Sequence, residues 1–266
     1  MSIIDFNEME LAPLYNKTSK GDQPKWYYDG KWYKLDSLGY EGLSEVVVSR
    51  LLADTGKIET VAYEPIRIKY RSRIGNGCVS HDFKSKKEEL ISLERLHLAY
   101  CGTSLKAAMD RYASPEDRIK YTVETIEAIT DIHDAGKILT AWLEADAFFL
   151  NEDRHTNNIA FLRNPEESVW RFCPMYDNGL SLLSDLNDYP MDEKTSVQKK
   201  KVKAKPFSTS FSAQVSAAEK LYGNQLNLCF DDTEIENALR GLSEYYQEKY
   251  LVRVANILRT QSLISG

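Results

Sequence analysis

The sequence predicts an α+β protein of two lobes, a small antiparallel β-rich lobe with one helix and a larger, mainly helical lobe. Two observations carry this prediction. Aromatic and β-branched runs separated by turn residues fill the first part of the chain, and long segments with helical spacing of apolar residues follow. We place the boundary after residue 83, so that residues 1–83 form the first lobe and residues 84–266 the second.

The first lobe is expected to begin with a hairpin followed by a helix. Asp29-Gly30 is a tight-turn dipeptide between two aromatic runs, which places Lys34 on the second strand of the hairpin. The apolar positions of residues 43–52 have helical spacing, which predicts the one helix of this lobe.

A second strand pair is expected to complete this lobe and to lead into a linker. The strands are predicted over residues 62–70 and 78–80, with Gly75-Asn76-Gly77 as the turn between them. The linker to the second lobe is predicted near residues 79–85, where Val79 and Ser80 could offer backbone groups to an adenine edge.

The second lobe is predicted to be helical. Ser114 followed by Pro115 is a typical helix start, and Gly136 is expected to end that helix. Residues 138–150 are so apolar that we expect them to form a helix buried at the centre of the lobe. Further helices are predicted over residues 86–99, 233–242 and 243–263.

Composition and charge argue against several classes of protein. A net charge of −6 argues against a dedicated nucleic-acid binder. The acidic N-terminal segment does not resemble a signal peptide, and no apolar run approaches the roughly 20 residues of a membrane span, so we expect a cytoplasmic protein. The four cysteines are widely spaced, which favours reduced residues packed as small hydrophobic groups over a zinc site.

The most informative motif follows the apolar helix and reads Asp-Arg-His-x-x-Asn from Asp153 to Asn158, with Asp177 in a later Tyr-Asp-x-Gly. Phosphoryl transfer from a nucleotide needs one aspartate to orient the attacking hydroxyl, and an asparagine and a second aspartate to hold Mg²⁺ against the phosphates. Strand-like runs around both segments predict a hairpin that carries these three side chains to one end. Arg154 and His155 could orient Asp153, contact phosphate or provide structural support.

Lys34 is the candidate partner for the nucleotide phosphates, because a lysine on a strand of the small lobe would face the cleft. Glu45, on the following helix, is the favoured ion-pair partner of this lysine, and Glu41 is the alternative. The segment before the hairpin contains Ser19 and Lys20 next to a single glycine, and it could cover the phosphates with backbone N–H groups.

A basic run lies after the second motif, with five lysines among residues 199–205. One interpretation is a solvated loop. The other is a surface that holds an acidic or phosphorylated partner.

These motifs resemble those of the HipA-like bacterial serine/threonine kinases, in the compact form of the stand-alone CtkA-type kinases. The resemblance rests on Asp153–Asn158, on Tyr176–Gly179 and on the run from Lys34 to Ser49. It spans roughly residues 15–180. The Asp-Arg-His-x-x-Asn spelling is also that of phosphatidylinositol 3- and 4-kinases.

The resemblance implies a bilobal protein-kinase-like fold, ATP and Mg²⁺ as cofactors, and transfer of phosphate to a serine or threonine of a protein. It implies that Lys34 contacts the ATP phosphates with Glu45 as its partner, that Asp153 is catalytic, and that Asn158 and Asp177 hold Mg²⁺. The protein itself is a possible acceptor, at Thr18 or Ser19. HipA toxins carry an additional N-terminal subdomain, for which we expect no room before the hairpin, so a surface for an antitoxin partner is not expected.

Two other functions are compatible with the sequence. The Asp-Arg-His-x-x-Asn spelling and the basic run favour a lipid or small-molecule kinase, since anionic head groups would suit the lysines. The poor phosphate loop favours a nucleotide-binding scaffold without catalysis. Nucleotidyl transfer is a variant of the leading interpretation.

Overall fold

The computed structural model describes residues 3–9 and 23–265 of the chain. The segment with Thr18, Ser19 and Lys20 lies outside these residues, so the expectations for it stay predictions. The described elements form an α+β fold with a β-rich lobe and a helical lobe, which confirms the predicted fold class. The boundary after residue 83 stays a prediction.

The first lobe is a five-stranded sheet with one long helix against it. The sheet has the strand order β1-β4-β5-β3-β2, in which β1 runs parallel to β4 and the other neighbours are antiparallel. The elements are β1 (Ile3–Asp5), β2 (Lys25–Tyr28), β3 (Lys31–Leu35), α1 (Glu41–Thr55), β4 (Glu64–Tyr70) and β5 (Arg73–His81).

The predicted hairpin is present and forms β2 and β3. Its turn residues Asp29 and Gly30 both have positive φ values, 48° and 70°, as the favoured two-residue hairpin turn requires. Lys25 lies directly opposite Lys34 in the register of the two strands. Because side chains of directly opposed residues project from the same face of a sheet, both lysines are presented to one side.

The predicted turn at Gly75-Asn76-Gly77 is wrong, because these residues lie inside β5 and the chain turns at residues 71–72 instead. The glycines allow β3 to pack closely against β5 and do not form a turn. A Cβ atom at Gly77 would lie 2.0 Å from the backbone oxygen of Lys34 on the neighbouring strand. The strand also continues to His81, so the predicted linker begins later than residue 79.

The second lobe contains a small sheet of three strands in the order β6-β7-β8 and is otherwise mainly helical. Its strands are β6 (Glu89–Ser92), β7 (Ala160–Asn164) and β8 (Val169–Phe172). Its helices are α2 (Leu93–Cys101), α3 (Leu105–Met109), α4 (Pro115–Thr130), α5 (Ala135–Phe149), α6 (Thr195–Gln198), α7 (Phe211–Tyr222), α8 (Asp232–Leu239), a 3₁₀ turn (Leu242–Glu244) and α9 (Glu248–Ser265).

Three expectations for this lobe need correction. Residues 89–92 form a strand rather than the start of a helix, because they pair with β7. Gly136 does not end a helix. The helix α4 ends at Thr130, and Gly136 lies in the first turn of α5, where a Cβ atom would come within 2.4 Å of the Tyr222 ring. The helix α7, which carries that tyrosine, is absent from the predicted elements.

The central helix α5 is buried along most of its length, as its apolar composition predicts. The cysteines follow the prediction in part. All four are free thiols, but Cys101 and Cys229 are exposed, whereas Cys78 and Cys173 are buried. Among the described residues, no helix combines the length and the apolar character needed to cross a membrane.

C-terminal residues of the chain form hydrogen bonds with the sheet and the helix of the first lobe. The Tyr246 hydroxyl donates a hydrogen bond of 2.9 Å to Asp36, which follows β3, and Asn76 of β5 donates one of 2.7 Å to the backbone oxygen of Tyr245. Arg50 of α1 donates to the backbone oxygen of Ala238 at 3.0 Å. These contacts hold the sheet and α1 in a fixed position relative to the helical lobe.

Substituting Gly77 with alanine tests the close approach of β3 and β5 beside Lys34. The added Cβ would meet a backbone atom of β3, and the strand would have to shift to make room. We therefore expect a loss of about 3 kcal/mol in the free energy of unfolding, measured with urea. Gly102→Ala is the control, since its Cβ would meet nothing within 4 Å and only the positive φ of 72° is unfavourable. It should lose about 1 kcal/mol. Equal losses in the two variants would contradict this account.

Candidate functional site

The Asp153 motif lies on a loop that leaves α5 and enters β7. Leu150 adopts a left-handed conformation, with φ of 58°, and so ends the helix. Asn151 then donates two hydrogen bonds of 2.8 Å to Asp146 of that helix and accepts one of 3.1 Å from the backbone of Asp153. The Asn158 amide donates to the backbone oxygen of Asp153 at 3.0 Å. The loop therefore holds Asp153 and Asn158 side by side by local contacts.

Arg154 joins this loop to the segment that carries Asp177. Its fully buried guanidinium donates to the Asp146 carboxylate at 2.9 Å and to the backbone oxygens of Asn158 at 3.0 Å and Tyr176 at 2.7 Å. It also donates to the Asn178 side chain at 2.6 Å. Burial raises the pKa of Asp146 even though Arg154 lies beside it. Among the roles that the sequence left open for Arg154, its contacts are those of structural support.

Lys34 lies at the centre of an ion-pair cluster between the lobes. Its ammonium contacts the Glu45 carboxylate of α1 and lies 2.7 Å from Oδ1 of Asp177. Burial by itself would lower the pKa of Lys34, but Asp177 and Glu45 outweigh it, and the pKa is held well above its ordinary value. Glu41 instead accepts backbone N–H groups of the turn before α1. The structure therefore brings Lys34 together with the favoured glutamate.

The Asp177 segment docks against α1. The backbone N–H of Asn178 donates to Oε2 of Glu45 at 2.8 Å, and a Cβ atom at Gly179 would lie 3.4–3.5 Å from Glu41 and Glu45. Asp177 itself has a φ of 61°, a conformation that non-glycine residues adopt seldom and mostly at functional or structurally constrained positions.

Lys25 is a site residue that the sequence reasoning missed. Its ammonium lies 3.7 Å from Oδ1 of Asp177, so two lysines face one carboxylate. Burial would raise the pKa of Asp177, but the charges of Lys25, Lys34 and Arg154 outweigh it and hold this pKa well below its usual range. The hairpin register, which places Lys25 opposite Lys34, was the signal that could have found it.

A cavity of about 470 Å³ opens in front of these charges. Lys25, Lys34, Asn158 and Asp177 line one part of it, and His155 lies beside them.

Aromatic and apolar side chains line much of the rest of the cavity, together with the polar residues Ser80, Asp82, Lys84 and Asn157. Phe83 and Tyr176, whose ring centroids are 5.7 Å apart, contribute together with Trp32, Tyr63 and Leu90. A cavity that combines positive charges with aromatic faces matches a ligand that joins phosphates to a planar ring.

The two residues near the linker that were predicted to contact an adenine edge, Val79 and Ser80, differ in position. Ser80 lines the cavity. Val79 pairs with Tyr33 and Glu64 in the sheet and packs against the small apolar cluster that contains Trp26 and Ile68. Its side chain contributes to that cluster and its backbone lies within the sheet, and its role at an adenine edge stays a prediction.

The basic run of residues 199–205 does not behave as one surface. Lys205 extends to the site, where its ammonium lies 2.9 Å from Oδ1 of Asp153. Lys201 pairs with Glu193 at 2.7 Å, and Lys199 donates to Gln261 at 3.2 Å. No local pattern indicates the contact between Lys205 and Asp153, because 52 residues separate them.

The residues present fit Mg²⁺ that is shared with a phosphate ligand. In the described part of the chain, no group of three or more histidine, cysteine or acidic side chains could hold a metal ion by itself. Mg²⁺ commonly takes one or two carboxylates and completes its shell with phosphate oxygens and water. Asp177 and Asn158 at the rim of one cavity provide such a partial ligand set.

Comparison with solved structures shows the fold. The CtkA proinflammatory kinase of Helicobacter pylori is 15% identical, with a TM-score of 0.62 over 98% of this chain and 94% of that chain. A chain from the complex of the toxin–antitoxin proteins HipA and HipB with operator DNA, from Shewanella oneidensis MR-1, is 14% identical, with a TM-score of 0.55 over 96% of this chain and 64% of that chain. No family model and no curated protein sequence matches. The chain therefore has a HipA-like, kinase-type fold.

The lowered pKa of Asp177 predicts a pH dependence of stability. A carboxylate whose pKa is lower in the folded protein stabilises it above the unfolded-state pKa of about 4 and loses that contribution as the pH falls further. We therefore expect the wild-type protein to be more stable than Asp177→Asn at pH 7, without metal or nucleotide, and the difference to shrink below about pH 4. Urea unfolding at a series of pH values measures it. A stability difference between the two proteins that stays constant or grows in acid would contradict the lowered pKa of Asp177.

Proposed function

We propose that the protein is an ATP- and Mg²⁺-dependent kinase that phosphorylates serine or threonine hydroxyls of proteins, including its own. One observation carries the proposal. Lys34, Asn158 and Asp177 come from three parts of the chain and line one cavity, with Glu45 bonded to Lys34 and Asp153 bonded to Asn158, in the order and in the type of fold that phosphoryl transfer uses.

The cavity supports a division of roles in nucleotide binding. Lys34, held by Glu45, and Lys25 provide two positive charges for the phosphates. The aromatic part, with Phe83 and Tyr176, provides faces for the adenine ring. Mg²⁺, when bound by Asp177 and Asn158, would neutralise charge on the phosphates.

Asp153 is the candidate catalytic aspartate. Its carboxylate orients the acceptor hydroxyl and takes its proton while the hydroxyl oxygen forms a bond to the γ-phosphorus. The bond between that phosphorus and the β,γ-bridging oxygen breaks, and the electron pair leaves with ADP. Ser19 or Thr18, in the segment before the hairpin, is the proposed acceptor within the protein itself.

The kinase-type fold of the two similar structures supports a phosphotransferase over other nucleotide-binding proteins. CtkA is described as a proinflammatory kinase. The choice of a protein acceptor over a lipid rests on the dispersal of the lysine run, because Lys199, Lys201 and Lys205 point to three different partners rather than to one head-group site.

Incubation with γ-labelled ATP and Mg²⁺, followed by intact-mass analysis, tests the function. We expect the wild-type protein to gain phosphate and Asp153→Asn to be slower by about a hundred-fold or more, because it loses the proton acceptor. Asp131→Asn is the control, since Asp131 is exposed at the end of α4 and its left-handed conformation suits asparagine.

The same assay includes a mixture of soluble proteins and vesicles of phosphatidylinositol as acceptors. Phosphate on the lipid alone would favour the lipid-kinase alternative. Thermal stabilisation by ATP without transfer to any acceptor would favour a binding scaffold, and neither transfer nor stabilisation would refute the proposal.

A further inference from the structure

We propose that Lys205 is a catalytic residue of this site, and that its ammonium group binds the phosphoryl group as it passes from ATP to the acceptor held by Asp153. The inference rests on the proposed function and adds a residue to it. It also gives a role to one lysine of the basic run. The sequence alone allows two interpretations of that run, a solvated loop or a surface for a partner.

The position of the Lys205 ammonium supports this role. It lies 2.9 Å from Oδ1 of Asp153, whose side chain is only 7% exposed, whereas the side chain of Lys205 is 34% exposed. A hydroxyl that Asp153 orients would lie about 3 Å from the carboxylate and about 3–3.5 Å from the γ-phosphorus. The ammonium group is therefore within reach of the oxygens of the transferring group.

The backbone around Lys205 is fixed by the core of the second lobe. Its neighbours Ala204 and Phe207 are buried, at 2% and 0% exposure. The Gln214 side chain of α7, also fully buried, donates to the backbone oxygen of Lys205 at 3.2 Å. Arg118 of α4 donates to the backbone oxygen of Phe207 at 3.1 Å. Lys205 is therefore presented to Asp153 by a packed segment rather than by a mobile surface loop.

The chemistry of a lysine suits this position. An ammonium group has three N–H donors, so one can keep the bond to Asp153 while another donates to a phosphoryl oxygen. The transferring group spreads negative charge over three oxygens in the transition state, and a positive charge placed there in advance lowers the barrier. Lys34 and Lys25 contact Asp177, whereas Lys205 adds a positive charge beside Asp153.

Three variants test the inference: Lys205→Met, Lys205→Arg and the control Lys203→Met, which removes an exposed lysine two residues away. Calorimetry measures the affinities for ADP and for AMP-PNP with Mg²⁺, and single-turnover autophosphorylation measures the rate. Because Lys205 would contact only the third phosphate, we expect Lys205→Met to bind ADP within about two-fold of wild type and AMP-PNP about ten-fold more weakly. Its rate should fall about a hundred-fold.

The second variant and the control separate charge from structure. Lys205→Arg keeps the positive charge and should stay within about ten-fold of the wild-type rate, while Lys203→Met should match wild type in every measurement. Equal weakening of ADP and AMP-PNP in Lys205→Met would show a merely structural role and overturn the inference. A rate in Lys205→Arg as low as in Lys205→Met would also overturn it, and this variant carries the test if the methionine variant does not fold.

Failure of the underlying function has a different signature. A wild-type protein that neither binds AMP-PNP nor transfers phosphate would overturn the kinase proposal together with the role of Lys205. A wild-type protein that transfers phosphate, with a Lys205→Met variant as active as it, would overturn the role of Lys205 alone.

Discussion

The geometry of the candidate site depends on one buried cation, the guanidinium of Arg154. Taking such a charge out of water costs several kcal/mol unless its donors find partners. Here they do. Arg154 donates to Asp146 of the central helix and to the side chain of Asn178, and it also donates to the backbone oxygens of Asn158 and Tyr176. Because these partners come from the central helix, the Asp153 loop and the Asp177 segment, satisfying this charge requires that the loop and the segment take their observed relation.

The constraint extends from Arg154 to the first lobe through a chain of polar contacts. Asn178, which accepts from Arg154, donates its backbone N–H to Glu45, and Glu45 holds Lys34 on the sheet. Lys34 in turn reaches Asp177. Lys34 and Glu45 are thus part of the packed interior of the molecule. Contacts within the protein position the charged groups of the site before any ligand binds, which is the arrangement that electrostatic catalysis requires.

Local signals in the sequence predicted the elements that carry the site. The features that the sequence did not predict depend on contacts between distant parts of the chain. The Asp29-Gly30 turn, the apolar central helix and the two polar motifs each depend on residues close in sequence. Strand β6 could not be predicted, because it exists only through pairing with β7, about 70 residues later. Gly77 and Lys205 were misread or missed for the same reason, since their roles depend on Lys34 and Asp153 in distant parts of the chain.

The most direct test of this account is the Mg²⁺-dependent affinity for ATP of Arg154→Lys, measured at a temperature where the variant is folded. Lysine keeps the charge, but its three N–H donors cannot replace the bonds that Arg154 makes to four groups. The account predicts that the affinity falls at least about ten-fold while circular dichroism shows an intact fold. An unchanged affinity in a merely less stable variant would contradict it, because Arg154 would then be a core contact without influence on the site.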